Sequence, residues 1–212
     1  MAKNALEKRF YNFEVRAGQN EGGESIISGR PIVYNSRTNL GYFDEIIEQG
    51  ALDGANLTDV RFLVNHDISK IPLARSRRNN GNSTMLLSVD NEGLSLDWAK
   101  LDTENNSEAR ALYSAVQRGD ISGMSFMFSI DGEKWEGLES SHPTRRITKI
   151  GSVVEISAVT FPAYESTEIY ARSSEALENA RAALEKARRS ASPPDGSLEL
   201  AKAKFEFIMK MR

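Results

Sequence analysis

The chain has 212 residues, 40% hydrophobic and 27% charged, with a formal net charge of -3. Those values suit one globular domain with an optional appendage, and they leave no basic footprint for nucleic acid or an anionic membrane. Cysteine is absent and there are two histidines, which excludes disulfides, thiol catalysis and cysteine-ligated metals.

No apolar run reaches membrane-spanning length, and residues 1–13 lack the apolar stretch of a secretory signal. Phe10 to Arg16 alternates apolar and polar residues, as a single strand would. Ser25 to Tyr34 is a second strand candidate, and Val60 to Asn65 a compact one leading directly into His66. Thr84 to Val89 and Leu94 to Lys100 flank the turn formers Asp90-Asn91-Glu92-Gly93, which predicts a hairpin. Ala109, Leu112, Tyr113 and Val116 recur at helical spacing over Ser107 to Arg118, and Gly119 supplies a stop.

The next strand, Ile121 to Ile130, sets Phe126, Phe128 and Ile130 on one face and Ser125, Met127 and Ser129 on the other. Gly137 to Thr144 reads as an exposed loop, and Val153 to Phe161 as a buried strand. Residues 173–190 read as an amphipathic helix, 191–197 as a Pro/Ser/Gly linker, and 198–212 as a short C-terminal helix. Residues 172–212 carry a charge of +3, against -6 for the rest.

Three positions bear on chemistry. Ser125 is a small hydroxyl fixed on a stiff strand, where a nucleophile gains from rigid positioning, with Ser122 and Ser129 as nearby competitors. Met127 rather than Gly two residues on argues against a Gly-x-Ser-x-Gly nucleophile elbow. His66 closes an apolar strand, and reads either as a general base or as an edge histidine bonded to backbone. His142 sits in an exposed Ser-Ser-His-Pro loop, and no ligand spacing supports a metal site. Glu155 lies inside Val153-Val154-Glu155-Ile156, where a carboxylate is costly without a partner. That partner is either a histidine it orients or a structural cation such as Arg145 or Arg146.

Taken in chain order, the motifs resemble a known family. They are Phe43-Asp44-Glu45-Ile46-Ile47-Glu48-Gln49-Gly50-Ala51-Leu52, Val64-Asn65-His66-Asp67, Gly93-Leu94-Ser95-Leu96, Gln117 through Phe126, and Glu155-Ile156-Ser157-Ala158-Val159-Thr160-Phe161-Pro162-Ala163-Tyr164. This pattern, spanning about residues 8–172, is similar to the prohead maturation proteases of tailed bacteriophages, which are related in fold to the herpesvirus protease assemblin.

The resemblance implies an α+β fold: a closed, mostly antiparallel β-barrel surrounded by helices, with residues 1–172 as the serine protease domain and a helical C-terminal tail. It assigns Ser125 as nucleophile, His66 as general base and acid, and Glu155 as the acid that orients the histidine, with no cofactor and no metal. Asp67 and Glu133 are the alternatives for the third role. Met127 stands where many members carry Gly, and would narrow the adjacent cleft. Scaffold and major capsid protein are the implied partners, a homodimer is a further expectation, and neither nucleic acid nor membrane is expected. The implied place of action is the host cytoplasm and then the prohead interior, with self-processing. A catalytically silent assembly module of the same fold and a small-molecule serine esterase are the rival readings.

Overall fold

The computed structural model describes residues 6–11, 15–77, 82–160 and 174–191. In chain order they form β1 (Leu6–Tyr11), β2 (Val15–Gln19), β3 (Ser25–Val33), β4 (Arg37–Asn39), β5 (Asp44–Ile47), β6 (Val60–Val64), β7 (Ala74–Ser76), β8 (Met85–Val89) and β9 (Gly93–Lys100). Helix α1 (Ser107–Arg118), β10 (Gly123–Glu136), β11 (Thr144–Val159) and α2 (Ser174–Ala191) follow. The predicted linker beyond Ala191, the helix predicted over 198–212 and the Phe161-Pro162-Ala163-Tyr164 motif lie outside the described residues.

One sheet has the order β1-β10-β11-β5-β4, with β6 also on β11 and β7 on β6; the other runs β2-β3-β9-β8. The long strand β11 organises the first sheet. It is antiparallel to β10, while its opposite edge takes two parallel partners in succession: Thr144–Ile147 against β5, and Glu155–Ala158 against β6. Between them a single bridge joins Asn56 to Ser152. Phe126, Phe128, Ile147, Ile150 and Ile156 of this sheet share one buried apolar cluster with Ile27, Ile32, Leu94 and Leu96 of the other. The core therefore lies between two sheets.

The expected closed barrel surrounded by helices is not formed: the described residues make two open sheets, mostly antiparallel in their pairings, and two helices. The β11–β5 and β11–β6 pairings are parallel. Where β7 approaches β8, the ladder stops at Thr84. The Thr84 N–H donates to the Arg75 carbonyl at 3.0 Å, but the Thr84 carbonyl is taken by the Lys100 N–H at 2.8 Å. The Arg75 N–H donates instead to the Thr84 hydroxyl at 2.9 Å, so a side chain stands where a barrel would need a backbone acceptor. The single strand predicted over Phe10 to Arg16 is likewise divided: β1 pairs with β10 in one sheet and β2 with β3 in the other.

Helix α1 has the bounds its periodicity predicts. Asn106 caps its start, its side-chain oxygen accepting from Glu108 N at 2.9 Å and Ala109 N at 3.2 Å. Gly119 ends it at φ 79, a left-handed conformation that costs glycine nothing sterically. Ala109, Leu112 and Val116 are its buried stripe, and the helix lies on β2 and β3. Helix α2 buries Ala180 and Leu184 against Phe43, with Trp135 and Leu138 alongside. Arg188 fastens its last turn, donating to the carbonyls of Leu138 at 3.0 Å and Ser140 at 2.7 Å. Phe43 and Trp135 meet edge to face, ring centroids 4.8 Å apart.

Candidate active site

Ser125, on β10, pairs directly with Ser157 on β11, while Met127 pairs with Glu155. Alternation then puts Ser125, Ser157 and Glu155 on one face of the two-stranded ladder, opposite Phe126 and Ile156. A register shift follows at once, with Phe128 pairing Val153, so that Val154 is bulged out of the ladder. Strand β6 arrives parallel on the far edge of β11, with Val64 opposite Ala158. This brings the end of β6 beside Ser157, which pairs with Leu63, while Glu155 pairs with Arg61 nearer the start of the strand.

There the chain reverses sharply. Asn65 has φ 53 and His66 φ 58, two consecutive left-handed residues that are not glycine. Such backbone carries a cost of about 1–3 kcal/mol per residue and persists only where surrounding contacts enforce it. The enforcing contacts come from the end of β11. The Asn65 N–H donates to the Ala158 carbonyl at 3.0 Å. The Asn65 side-chain oxygen accepts from Thr160 N at 2.9 Å, and its Nδ2 donates to the Thr160 hydroxyl at 2.9 Å. The His66 N–H donates to Ser157 Oγ at 3.0 Å.

The reversal aims the imidazole back over the ladder. His66 Nδ1 lies 2.5 Å from Glu155 Oε2, and Nε2 is hydrogen-bonded to Ser125 Oγ. An ionised carboxylate only accepts, so it selects the tautomer with the proton on Nδ1 and leaves the Nε2 lone pair facing the hydroxyl. Ser125 Oγ also donates to the Arg9 carbonyl of β1, 2.5 Å away. One hydroxyl proton thus has two acceptors, and its passage to Nε2 is the branch that produces a nucleophile. All three side chains are buried: Ser125 is 0% exposed, Glu155 3% and His66 8%. Low polarity around the relay strengthens each of its hydrogen bonds.

The other sequence candidates are engaged elsewhere. Ser129 bonds Ser152 through their hydroxyls at 3.0 Å, and Ser122 stands ahead of β10 in none of the contacts made by His66 or Glu155. Asp67 is exposed and accepts from Ser69; Glu133 accepts from Arg145 at 2.7 Å. His142 bonds Asp44 at 2.9 Å, far along the chain from His66. Arg145 and Arg146, the cations offered as structural partners of Glu155, are not bonded to it. Arg145 engages Glu7, Glu45 and Glu133, and Arg146 engages Glu136 at 2.6 Å and Glu48 at 3.7 Å. Among the described residues no group of three or more His, Cys, Asp or Glu side chains is arranged to hold a metal ion.

The sequence profile of the caudovirus prohead serine proteases matches residues 11–181, four-fifths of the chain. The chain belongs to that family. Within it, the prohead protease of Enterobacteria phage HK97 is 30% identical over 158 residues, which cover 73% of this chain and 63% of the relative's own length. No solved structure matches.

Residue-by-residue reasoning missed Ser157 and the pairing of Asn65 with Thr160. Ser157 carried a legible signal, since it sits two residues after Glu155 and so on the same strand face. The Asn65–Thr160 pair had none, because their meeting depends on the parallel register of β6 on β11.

Proposed function

We propose that this family member is a serine endopeptidase of phage capsid maturation, with Ser125, His66 and Glu155 as its catalytic triad. The observation that carries this reading is the convergence of three residues from three separate strands' ends and faces into one unbroken hydrogen-bonded line, two of them bridged by the third. Chance seldom orders nucleophile, base and orienting acid this way among buried side chains.

The chemistry is acyl transfer. As Ser125 Oγ forms its bond to a peptide carbonyl carbon, the hydroxyl proton moves to His66 Nε2. Glu155 stabilises the resulting imidazolium through Nδ1–H. The imidazolium then gives its proton to the leaving nitrogen, the C–N bond breaks, and an acyl-serine remains. Water attacks that ester with His66 again as base, restoring the hydroxyl.

The substrate we propose is the internal scaffold, or a scaffold-like segment of the major capsid protein, cut inside the immature shell, with self-processing of the protease itself. Expressing wild type beside Ser125→Ala tests the reading. Discrete truncation products are expected in the wild type and none in the variant, with a loss in turnover of roughly 10⁴-fold or more. Identical product patterns would instead favour a catalytically silent assembly module.

A further inference from the structure

We infer that Ser157 is a positioning residue of the relay, one that locks the orienting acid and the histidine turn to each other. This rests on the triad reading above and adds a fourth residue to it. Ser157 is fully buried, at 0% exposure, on the strand β11 that carries Glu155. Its hydroxyl donates to Glu155 Oε1 and accepts from the His66 N–H at 3.0 Å. Glu155 meanwhile offers its other oxygen, Oε2, to His66 Nδ1. The result is a closed ring of contacts: His66 backbone, Ser157 hydroxyl, Glu155 carboxylate, His66 imidazole.

Each contact answers a separate physical need. A buried carboxylate oxygen without a donor is expensive, and Ser157 is the donor Oε1 has. With both oxygens held, the carboxylate cannot rotate about its last bond, so Oε2 stays in line with Nδ1. The His66 N–H sits in a left-handed turn outside any ladder, and Ser157 supplies its acceptor. The same hydroxyl therefore fixes the acid's rotamer and stabilises the strained backbone that aims the base. Ser157 lies on the face of β11 opposite the apolar Ile156 and Ala158, and a side chain buried this completely is more often apolar. A hydroxyl there is used, rather than merely tolerated.

The test uses the full chain and a fluorophosphonate, which reports on serine nucleophilicity without a known substrate. The maximal inactivation rate and the half-saturating concentration are measured for wild type, Ser157→Ala, Ser157→Cys and Ser157→Thr, with thermal melts alongside. Ser157→Ala and Ser157→Cys should lower the maximal rate on the order of 10- to 100-fold, with half-saturation within about twofold of wild type, because alignment is lost and binding is not. Ser157→Thr keeps the hydroxyl and should recover most of the rate. The cysteine variant fills the site without a strong donor, so it remains informative where the alanine variant unfolds. Rates within about threefold of wild type for both Ala and Cys would overturn the inference, as would a loss that Thr fails to restore. Ser125→Ala separates the two levels: if it labels at the wild-type rate, the triad reading falls and this inference with it. If it is silent while the Ser157 variants label normally, only this inference falls.

Discussion

Glu45 and Glu155 are both buried carboxylates on strands of the same sheet, exposed by 0% and 3% respectively. Their partners differ in kind. Glu45 accepts from the Arg9 guanidinium, at 2.7 Å for one of two bonds, and from Arg145 at 3.3 Å. Arg145 in turn holds Glu7 and stacks over Trp135, 5.7 Å from ring centre to guanidinium carbon. Glu155 meets no cation that is permanently charged. It is given a histidine and a serine, groups whose protons move. Arginine stays charged under all ordinary conditions, so the Glu45 cluster is fixed and serves to tie β1, β5 and β11 together. A carboxylate paired with imidazole is instead able to follow a proton through a reaction. Near-equal burial of the same side chain thus goes with a fixed ion cluster in one place and, on the proposed reading, with chemistry in the other, and the partner distinguishes them.

The sharpest way to break this contrast is to remove charge from each acid without changing its shape. Glu155→Gln should cut turnover by roughly 10⁴-fold, because an amide holds the wrong histidine tautomer, while the melting transition moves little. Glu45→Gln should do the reverse. Leaving Arg9 and Arg145 short of a buried partner should cost about 3 kcal/mol or more of stability, read by denaturant unfolding. Turnover per folded molecule should stay near wild type.

A smaller effect should appear on acidification. Burial alone would push the Glu7 carboxyl up, but Arg9 and Arg145 outweigh it and hold it at about 2, against an ordinary 4.5. A folded-state value below the unfolded one means that the folded chain binds fewer protons, so stability falls as pH drops. The loss should begin near the ordinary value of 4.5, approach completion near 2, and reach at most roughly 3 kcal/mol. Glu7→Gln should flatten that part of the stability profile. Smallest of all is the exposed pair Arg181–Glu185 on α2, 3.0 Å apart with side chains 64% and 54% exposed. Arg181→Ala should change stability by no more than about 0.5 kcal/mol and leave turnover untouched.

Local physics made parts of this molecule legible in advance. The bounds of α1 follow from its apolar stripe and its caps, and the β8–β9 hairpin from Asp90-Asn91-Glu92-Gly93. In that turn, Asp90 accepts from the N–H groups of Glu92 and Gly93 at 2.8 and 3.0 Å. Gly93 is required there, since at φ 147 an added Cβ would lie 2.0 Å from the Ile32 carbonyl oxygen. What could not be read was non-local. The stretch from Gly137 looked like a loop up to Thr144, yet β11 begins at Thr144 and runs sixteen residues. Its polar start, Thr144-Arg145-Arg146, is a strand because β5 pairs with it and acidic side chains neutralise it. Barrel closure is implied by likeness alone, and whether sheet edges join depends on pairings between distant segments, such as Arg75 and Thr84, that no local pattern encodes. Of the candidate site, Ser125, His66 and Glu155 stood out by residue type and placement. That the three share one hydrogen-bonded line depends on the β10–β11 register and the parallel seat of β6.

Mapping the adduct of a fluorophosphonate by peptide mass spectrometry tests the relay most directly. The account predicts a single modified residue, Ser125, formed quickly in the wild type and hardly at all once His66 is replaced by alanine. An adduct on Ser122 or Ser129 instead, or labelling of Ser125 that persists undiminished without the imidazole, would contradict it.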